Sequence, residues 1–186
     1  MSHNTAMPIP LLPGFFLTEL RSRDRAAIVE HLQSREIYEQ TLRIPWPYTL
    51  ALAGQFLQKV RDEEAATGRR TIWGIRARNG LLVGVIGLES SPRAPEPDQA
   101  EIGYWIARRF WNRGLATQAL QAVVGVAFER YKFAGLKAGT FPQNAASRRV
   151  LEKCGFRFSG LEPGVALKHG RPVDLLLYVL NNAHRG

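Results

Sequence analysis

The sequence predicts a single mixed α/β domain, and three observations carry this prediction. Segments with strand-like and helix-like patterning alternate along the chain, as they do in domains that pack helices against a sheet. At 186 residues, with 45% of them hydrophobic, the chain can form one sizeable core. No apolar run approaches the roughly 20 residues that a membrane-spanning helix needs, so no membrane protein is expected.

Strands are predicted from apolar, β-branched and aromatic runs bounded by turn residues. The Asn79-Gly80 pair favours a tight hairpin turn between two of them, and a second turn is expected at His169-Gly170. One strand–helix–strand crossover, expected to be right-handed, joins the strand at Glu101 to the strand at Thr140. About seven strands are predicted, at residues 15–20, 71–77, 81–88, 100–106, 136–141, 156–160 and 172–180.

Helices are predicted where apolar residues recur at helical spacing and capping residues stand at the ends. Asp24 and Asn144 are the expected N-caps of two helices, and Gly155 is the expected left-handed residue after the second. The helices are predicted at residues 24–32, 35–42, 49–66, 113–132 and 144–154. Residues 1–13 are expected to be a disordered segment, and residues 14–186 to form the domain.

The charge of the chain favours anionic partners. Its 25 Lys and Arg against 16 Asp and Glu give a formal charge of +9, which raises the local concentration of anions. Nucleic acid, an acidic protein surface and a phosphorylated cofactor all fit, and so does a basic surface without a specific partner. The arginines are scattered and form no run of five or six like charges, so no specific nucleic-acid partner is expected.

The chain has one cysteine, Cys154, which excludes an intrachain disulfide and a cysteine metal cluster. It is expected to pack in the core rather than to act as a nucleophile. No histidine has a ligand partner at metal spacing, so no metal site is expected. A reducing, cytoplasmic location is the simple expectation.

The start of the longest predicted helix, residues 112–117, has the properties of an anion site. Its first turn presents backbone N–H groups without intrahelical partners, and the helix dipole makes that end positive. Gly114 lets an anion approach the backbone, and Arg108, Arg109 and Arg113 add positive charge. The alternative is an ordinary helix start with a turn glycine.

Two further segments place this helix start in a known pattern. The strand Glu101-Ile102-Gly103-Tyr104-Trp105-Ile106 comes directly before it, and Asn144-Ala145-Ala146-Ser147 opens a helix that ends at Cys154-Gly155-Phe156. In this order and spacing, the three segments resemble the GCN5-related N-acetyltransferase (GNAT) superfamily. Its cofactor signature is Gln/Arg-x-x-Gly-x-Gly/Ala, in which Gly114 and Ala116 match and Trp111 departs from the first position. The resemblance covers about residues 14–181 and is strongest to the branch of ribosomal-protein-alanine N-acetyltransferases.

The resemblance implies a mostly antiparallel twisted sheet flanked by helices, with a splayed parallel pair of strands at the cofactor site. It also implies acetyl-CoA as cofactor, with CoA as product, and direct attack of an amine on the thioester. The main chain of Trp105, Ile106 and Ala107 at the strand end would pair with the pantetheine arm. The amides of residues 112–117 would hold the pyrophosphate, and Asn144 would bind the arm from the other side. The residues assigned to the cofactor are Trp105, Ile106, Ala107, Trp111, Asn112, Arg113, Gly114, Leu115, Ala116, Thr117 and Asn144.

The catalytic assignments are Glu101 and Ser147. Glu101 lies where the family often places a carboxylate and is the expected base, acting through water; the alternative is a surface or salt-bridged glutamate. Many family members protonate the leaving thiolate with a tyrosine, and Leu151 stands at that position here. Ser147 is the expected substitute, its alternative role being a hydrogen bond in the first turn of its helix.

The acceptor side is the least specified part of the sequence. Trp46, Tyr48 and Tyr104 are expected to line an acceptor pocket, with packing of the helix corner as the alternative for Trp46 and Tyr48. The expected function is N-acetylation of a primary amine, either a protein N-terminus such as that of a ribosomal protein or a small-molecule amine such as an amino-acid-like metabolite. A non-catalytic acyl-CoA-binding module is the alternative, and a homodimer is left open.

Overall fold

A single open sheet of eight strands organises the part of the chain that the computed structural model describes, residues 7–183. The strands lie in the order β1-β2-β3-β4-β5-β6-β8-β7, and every neighbouring pair is antiparallel except β5 and β6. The strands are β1 Ile9–Pro10, β2 Phe15–Thr18, β3 Ile72–Ala77, β4 Leu82–Glu89, β5 Gln99–Ile106, β6 Gly135–Thr140, β7 Arg157–Lys168 and β8 Arg171–Asn181. The predicted mixed α/β class and the mostly antiparallel sheet are confirmed.

Strand β1, which the sequence does not predict, lies within the segment that is expected to be disordered. Ile9 pairs with Leu17 and Pro10 with Phe16, so the ordered chain begins earlier than residue 14. A two-residue strand at the sheet edge tolerates proline, which cannot donate to a ladder. Residues 1–6 of the same prediction lie outside the described residues.

Strand β7 is longer than predicted because it forms a long hairpin with β8. The predicted strand ends at residue 160, whereas β7 continues to Lys168. His169 and Gly170 adopt positive φ angles of 51° and 73° and close the hairpin at the predicted turn. The hairpin forms the end of the sheet next to β6.

The helices agree with the sequence prediction in position, and Gly155 has the predicted left-handed conformation after α5, with a φ of 85°. Thr49 caps α3 by accepting from the Leu52 N–H, and Gly68 ends it with a φ of 64°. The predicted helix to residue 132 is α4 followed by a π-helical turn, Val126–Arg130, in which the Tyr131 N–H bonds to the Val126 carbonyl five residues earlier. The described helices are α1 Arg25–Leu32, α2 Arg35–Gln40, α3 Leu50–Thr67, α4 Leu115–Gly125 and α5 Ala145–Lys153.

The helices cover both faces of the sheet and create two apolar cores. Buried side chains of α4 and α5, such as Leu120 and Leu151, pack on one face. Side chains of α1 and α3, such as Ile28 and Leu57, pack on the other. Trp111 contacts both cores. Within residues 7–183, no helix has the length and apolar character needed to cross a bilayer.

The sequence predicts that Asp24 caps α1, but in the structure Asp24 forms a buried ion pair with Arg76. Its side chain accepts no hydrogen bond from the first turn of α1 and instead accepts from the Arg21 N–H at 2.8 Å. The Arg76 guanidinium donates to Asp24 Oδ1 at 2.9 Å and to Oδ2 at 2.8 Å. The side chains are only 9% and 4% exposed, so the tertiary partner outcompetes the local cap.

We expect Asp24→Ala to lower the free energy of unfolding by about 3 kcal/mol, because Arg76 is left as a buried charge without its carboxylate. Urea denaturation checks this value. Asp62→Ala is the matched control, since Asp62 is exposed and its loss is expected to cost less than about 0.5 kcal/mol. Equal losses in the two variants would show that the buried pair does not stabilise the fold.

Candidate active site

The parallel strands β5 and β6 separate towards their carboxyl ends. They pair only from Gln99–Gly135 to Glu101–Lys137. Beyond that point β5 stays paired with β4 as far as Ile106, while β6 stays paired with β8 as far as Thr140. The expected splayed pair is therefore present, and it leaves two strand edges facing each other across an opening.

The register of β5 decides which main-chain groups face this opening. The Ala107 N–H donates to the carbonyl of Val83 in β4 at 2.8 Å. Because strand residues alternate, the main-chain groups of Trp105 point towards β4 as well, whereas those of Tyr104 and Ile106 point into the opening. The expectation that the main chain of Trp105 and Ala107 binds the pantetheine arm is thus corrected: of the three residues predicted for this role, only Ile106 is suitably directed.

The helix α4 begins beside the end of β5 with a backbone suited to an anion. Gly114 is its N-cap in a left-handed conformation with a φ of 73°, and a β-carbon at Gly114 would meet no atom within 4 Å. The first main-chain donor to the Gly114 carbonyl is Gln118, at 3.1 Å. The N–H groups of Leu115, Ala116 and Thr117 precede that bond and have no intrahelical acceptor. An anion can therefore approach them over Gly114.

Basic side chains surround this helix start. The guanidinium carbons of Arg109 and Arg113 lie 5.3 Å and 5.4 Å from the centre of the Phe110 ring. Arg108 lies 5.1 Å from the centre of the Trp111 ring. These cation–π contacts hold positive charge close to the N-terminus of α4, where the helix dipole is also positive.

Trp111, which the sequence analysis assigns to the cofactor, positions the loop with both of its N–H donors. Its indole N–H donates to the Ile106 carbonyl at 2.7 Å. Its main-chain N–H donates to the Arg108 carbonyl at 3.2 Å. Both donors of Trp111 are therefore in use, and the residue ties the helix start to the end of β5.

Asn144, Ser147 and Tyr104 meet on the β6 side of the opening. Asn144 caps α5 as predicted, accepting from the Ser147 N–H at 3.0 Å, and its amide donates to the Gln40 carbonyl at 3.4 Å. The Ser147 hydroxyl lies 3.0 Å from the Tyr104 hydroxyl. Burial raises the pKa of Tyr104 to about 12, so its phenol is protonated at neutral pH. The sequence places Tyr104 in the acceptor pocket, and no local signal indicates its contact with Ser147.

Leu151 and Cys154 are structural residues of α5 and its end. Leu151, at the position of the family tyrosine, is buried in the core beneath α4 and has no group that could donate a proton. The Cys154 thiol is 3.6 Å from the Thr117 carbonyl. Burial raises the pKa of this thiol to about 11, which keeps it in the unreactive protonated form.

Glu101 is buried at the start of the opening and is ion-paired. Arg43 contacts its Oε2 at 2.6 Å, and Arg93 lies 3.5 Å from the same oxygen. Arg43 also pairs with Glu89 at 2.7 Å, and Arg93 with Glu162 at 2.9 Å. The salt-bridged alternative for Glu101 is therefore present, while its carboxylate still lines the cleft. No local pattern indicates Arg43 or Arg93 as a partner of Glu101, because Arg43 is 58 residues away in the chain and Arg93 lies across a loop.

A continuous cleft of about 950 Å³ joins these groups. It runs from the start of α4, through the opening between β5 and β6, to the face of the sheet under α3. Thr140 lines it, and the buried Thr140 hydroxyl has no hydrogen-bond partner among the described residues. Of the predicted acceptor residues, Tyr48 and Tyr104 also line the cleft.

Trp46 does not line the cleft, contrary to the sequence prediction. Its indole donates to the Gln33 carbonyl at 3.3 Å, and its ring lies 6.2 Å from that of Tyr38. These contacts hold Trp46 on the outside of α2, which agrees with the packing alternative. Across residues 7–183, no three His, Cys, Asp or Glu side chains are grouped to hold a metal ion.

Comparisons with known proteins agree with this geometry. Residues 15–157 match the family model described as acetyltransferase (GNAT) domain. The uncharacterized N-acetyltransferase YoaA of Bacillus subtilis (strain 168) is 34% identical over 107 residues, which are 57% of this chain and 59% of YoaA. The match thus spans little more than half the length of that curated relative.

Two solved structures have the same fold at low sequence identity. Mycobacterium smegmatis RimJ in complex with CoA-disulfide superposes with a TM-score of 0.79 and 24% identity, over 96% of this chain and 88% of RimJ. The ribosomal-protein-S5-alanine acetyltransferase from Vibrio fischeri superposes with a TM-score of 0.82 and 16% identity, over 95% of this chain and 97% of that one.

Proposed function

The chain belongs to the GNAT acetyltransferase family, and from that premise we propose that it transfers an acetyl group from acetyl-CoA to a primary amine. One observation carries the proposal. The opening between β5 and β6 leads directly to the start of α4, so an exposed strand edge and an anion site lie along one cleft. A pantetheine diphosphate needs that combination.

The residues along the cleft fit acetyl-CoA in order. The main-chain groups of Tyr104 and the Ile106 N–H are directed to pair with the amides of the pantetheine arm, as an added strand pairs with a sheet edge. The amides of the first turn of α4 suit the diphosphate. The Thr140 hydroxyl, without a partner in the described chain, is a further donor for the arm. Acetyl-CoA supplies the activated acetyl group.

Glu101 is the proposed base for the acceptor amine. An alkylammonium with a pKa of about 10 must lose a proton before it attacks, and Glu101 can accept this proton through water. Glu89, Glu101 and Glu162 form one ion-pair network with Arg43 and Arg93, so three negative charges face two positive ones. This local negative excess attracts an ammonium group even though the chain carries +9 overall.

Ser147 and Tyr104 are the proposed proton donors for the leaving thiolate. The Ser147 hydroxyl can give its proton to sulfur while it takes the proton of the Tyr104 phenol, since the two oxygens are 3.0 Å apart, and the Tyr104 oxygen then regains a proton from solvent. The raised pKa of Tyr104, about 12, keeps the phenol protonated over the working range of pH. This pair takes the place of the family tyrosine that Leu151 replaces.

Ser147→Ala and Tyr104→Phe are each expected to lower kcat about 10- to 100-fold without weakening acetyl-CoA binding. The two effects should not add in the double variant, because both residues serve one proton transfer. The Asn144 cap survives in Ser147→Ala, since the cap bonds to a main-chain N–H. Steady-state kinetics and calorimetry measure the two quantities, with the exposed Ser90 changed to Ala as control. Full activity in Ser147→Ala would reduce its role to the first turn of α5.

The pH profile gives an independent test of the tyrosine. Because the pKa of Tyr104 is raised to about 12, its deprotonation should not reduce kcat below about pH 10. An alkaline fall in kcat below that pH which vanishes in Tyr104→Phe would contradict the assignment. The measurement is kcat against pH for the wild type and this variant at saturating acetyl-CoA.

The proposed acceptor is a protein N-terminus, such as that of a ribosomal protein, or a small-molecule amine such as an amino-acid-like metabolite. The positive charge of the chain disfavours polyamines and favours acidic or RNA-associated acceptors. The Vibrio fischeri structure, whose name specifies a ribosomal protein as acceptor, lends the first class its support. A screen of amines and N-terminal peptides for acetyl-CoA-dependent thiol release tests the proposal.

A non-catalytic acyl-CoA-binding module is the second candidate, because Leu151 removes the usual tyrosine. Such a module would bind acetyl-CoA and release no thiol with any acceptor in the screen. Turnover that depends on Glu101 would exclude it.

A further inference from the structure

The cleft has a second section, on the sheet face under α3, that the transfer of an acetyl group does not explain. Its floor consists of three cross-strand pairs of β4 and β5: Glu89–Glu101, Gly87–Gly103 and Val85–Trp105. The central pair consists of two glycines; Ile72 covers Gly87, since its Cγ1 would lie 3.0 Å from a β-carbon there, so the depression lies at Gly103. Gly103 is exposed in the middle of a strand, and a β-carbon on it would meet no atom within 4 Å.

The two ends of this floor differ in chemistry. At one end lie Glu101 and Glu89 with Arg43, the polar network described above. At the other end Trp105 and Val85 belong to the apolar core between the sheet and the helices α1 and α3. The depression at Gly103 therefore lies between a charged group and an apolar wall.

Helix α3 forms a side wall of the cleft at the apolar end of this floor. Leu52 and Phe56, four residues apart, line the cleft, while Ala53, Leu57 and Val60 fill the core behind them. Leu52 and Phe56 are only partly buried, although they are apolar. We call the space bounded by Leu52, Phe56, Tyr48, Val85, Trp105 and Gly103 the apolar compartment.

We propose that the apolar compartment binds a bulky apolar side chain of the acceptor, so that preferred acceptors are α-amino compounds with an aromatic or large branched side chain. The proposal rests on the proposed function, since it places the acceptor amine at Glu101. Residues two apart on a strand are roughly 7 Å apart. Gly103 is two residues from Glu101, so a side chain on the carbon next to the amine reaches the depression at Gly103, which is the near end of the apolar compartment.

The test fills the compartment by Gly103→Leu and measures acceptor preference. Gly103 has no positive φ, and its β-carbon meets nothing, so the variant should fold; thermal unfolding verifies this. Gly160→Leu is the matched control, because Gly160 lies on β7, also has no positive φ, and its β-carbon also meets nothing. The acceptors are phenylalanine, leucine, alanine and glycine, each as the free amino acid and as the first residue of a dipeptide amide.

We expect kcat/KM for phenylalanine or leucine to exceed that for alanine at least tenfold in the wild type and in Gly160→Leu. Gly103→Leu should remove this preference. Comparison of the free amino acids with the dipeptide amides distinguishes a metabolite acceptor from a protein N-terminus. A side-chain preference in either series of acceptors supports the proposal. An unchanged preference in Gly103→Leu, or no preference in the wild type, overturns it.

Two further measurements separate this inference from its premise. Calorimetry with acetyl-CoA and thiol release with any amine test the proposed function. If kcat/KM for glycine equals that for phenylalanine, the proposed function stands and the compartment proposal fails. Replacement of acetyl-CoA by octanoyl-CoA tests the other apolar occupant. If Gly103→Leu blocks octanoyl transfer but leaves the preference among acceptors unchanged, the compartment holds acyl chains and the proposal is overturned.

Discussion

Gly114→Asp is expected to weaken acetyl-CoA binding about 700-fold while leaving the fold intact. The new carboxylate would stand at the N-terminus of α4, where the amides suit an anion. Two unit charges about 4 Å apart repel by about 4 kcal/mol at an effective dielectric constant near 20, and each 1.4 kcal/mol is about tenfold in affinity. The left-handed φ of 73° costs Asp about 1 kcal/mol, which a negative charge at the helix N-terminus partly offsets, so the fold should persist.

Gly114→Asn is the matched control for this prediction. Asn has the size of Asp, tolerates the left-handed conformation at φ 73° and carries no charge. It should weaken binding much less, by about tenfold, through the loss of space alone. Calorimetry with acetyl-CoA measures both variants, and unaltered affinity in Gly114→Asp would remove the diphosphate from this helix start.

Glu101→Gln is expected to lower kcat about 100- to 10,000-fold at neutral pH, the range for loss of a general base. The loss should shrink as the pH rises towards about 10, because solvent then deprotonates the amine without help. Acetyl-CoA affinity should not change. The fold should persist, since Arg43 keeps Glu89 and Arg93 keeps Glu162 as ionic partners.

Glu89→Gln is the control for Glu101→Gln, because Glu89 shares Arg43 with Glu101 but lies farther out. A base at Glu101 predicts less than a tenfold loss in kcat for Glu89→Gln. The measurement is kcat against pH for the wild type and both variants. A pH–rate profile that is unchanged in Glu101→Gln would leave Glu101 with an ion-pairing role only.

Much of the fold and the anion site followed from local rules that the sequence carries. Asn144 caps α5 because its side chain reaches a main-chain N–H three residues later. Gly114 begins α4 because it adopts a positive φ that other residues rarely take. The strand and helix positions followed from apolar spacing, except at β1, whose two residues are too few to show a pattern, and at β7, which extends eight residues beyond its predicted end at residue 160.

Only the tertiary structure decided the chemistry of the cleft, because the deciding contacts join residues far apart in the chain. The partner of β5 determined that Tyr104 and Ile106, and not Trp105 and Ala107, face the opening. Tyr104 and Ser147 are 43 residues apart, and Arg43 and Glu101 are 58 apart. A sequence pattern reports which residues share a helix face or a strand edge. Whether a given side chain then meets a proton donor, a counter-ion or an empty compartment depends on how those elements pack.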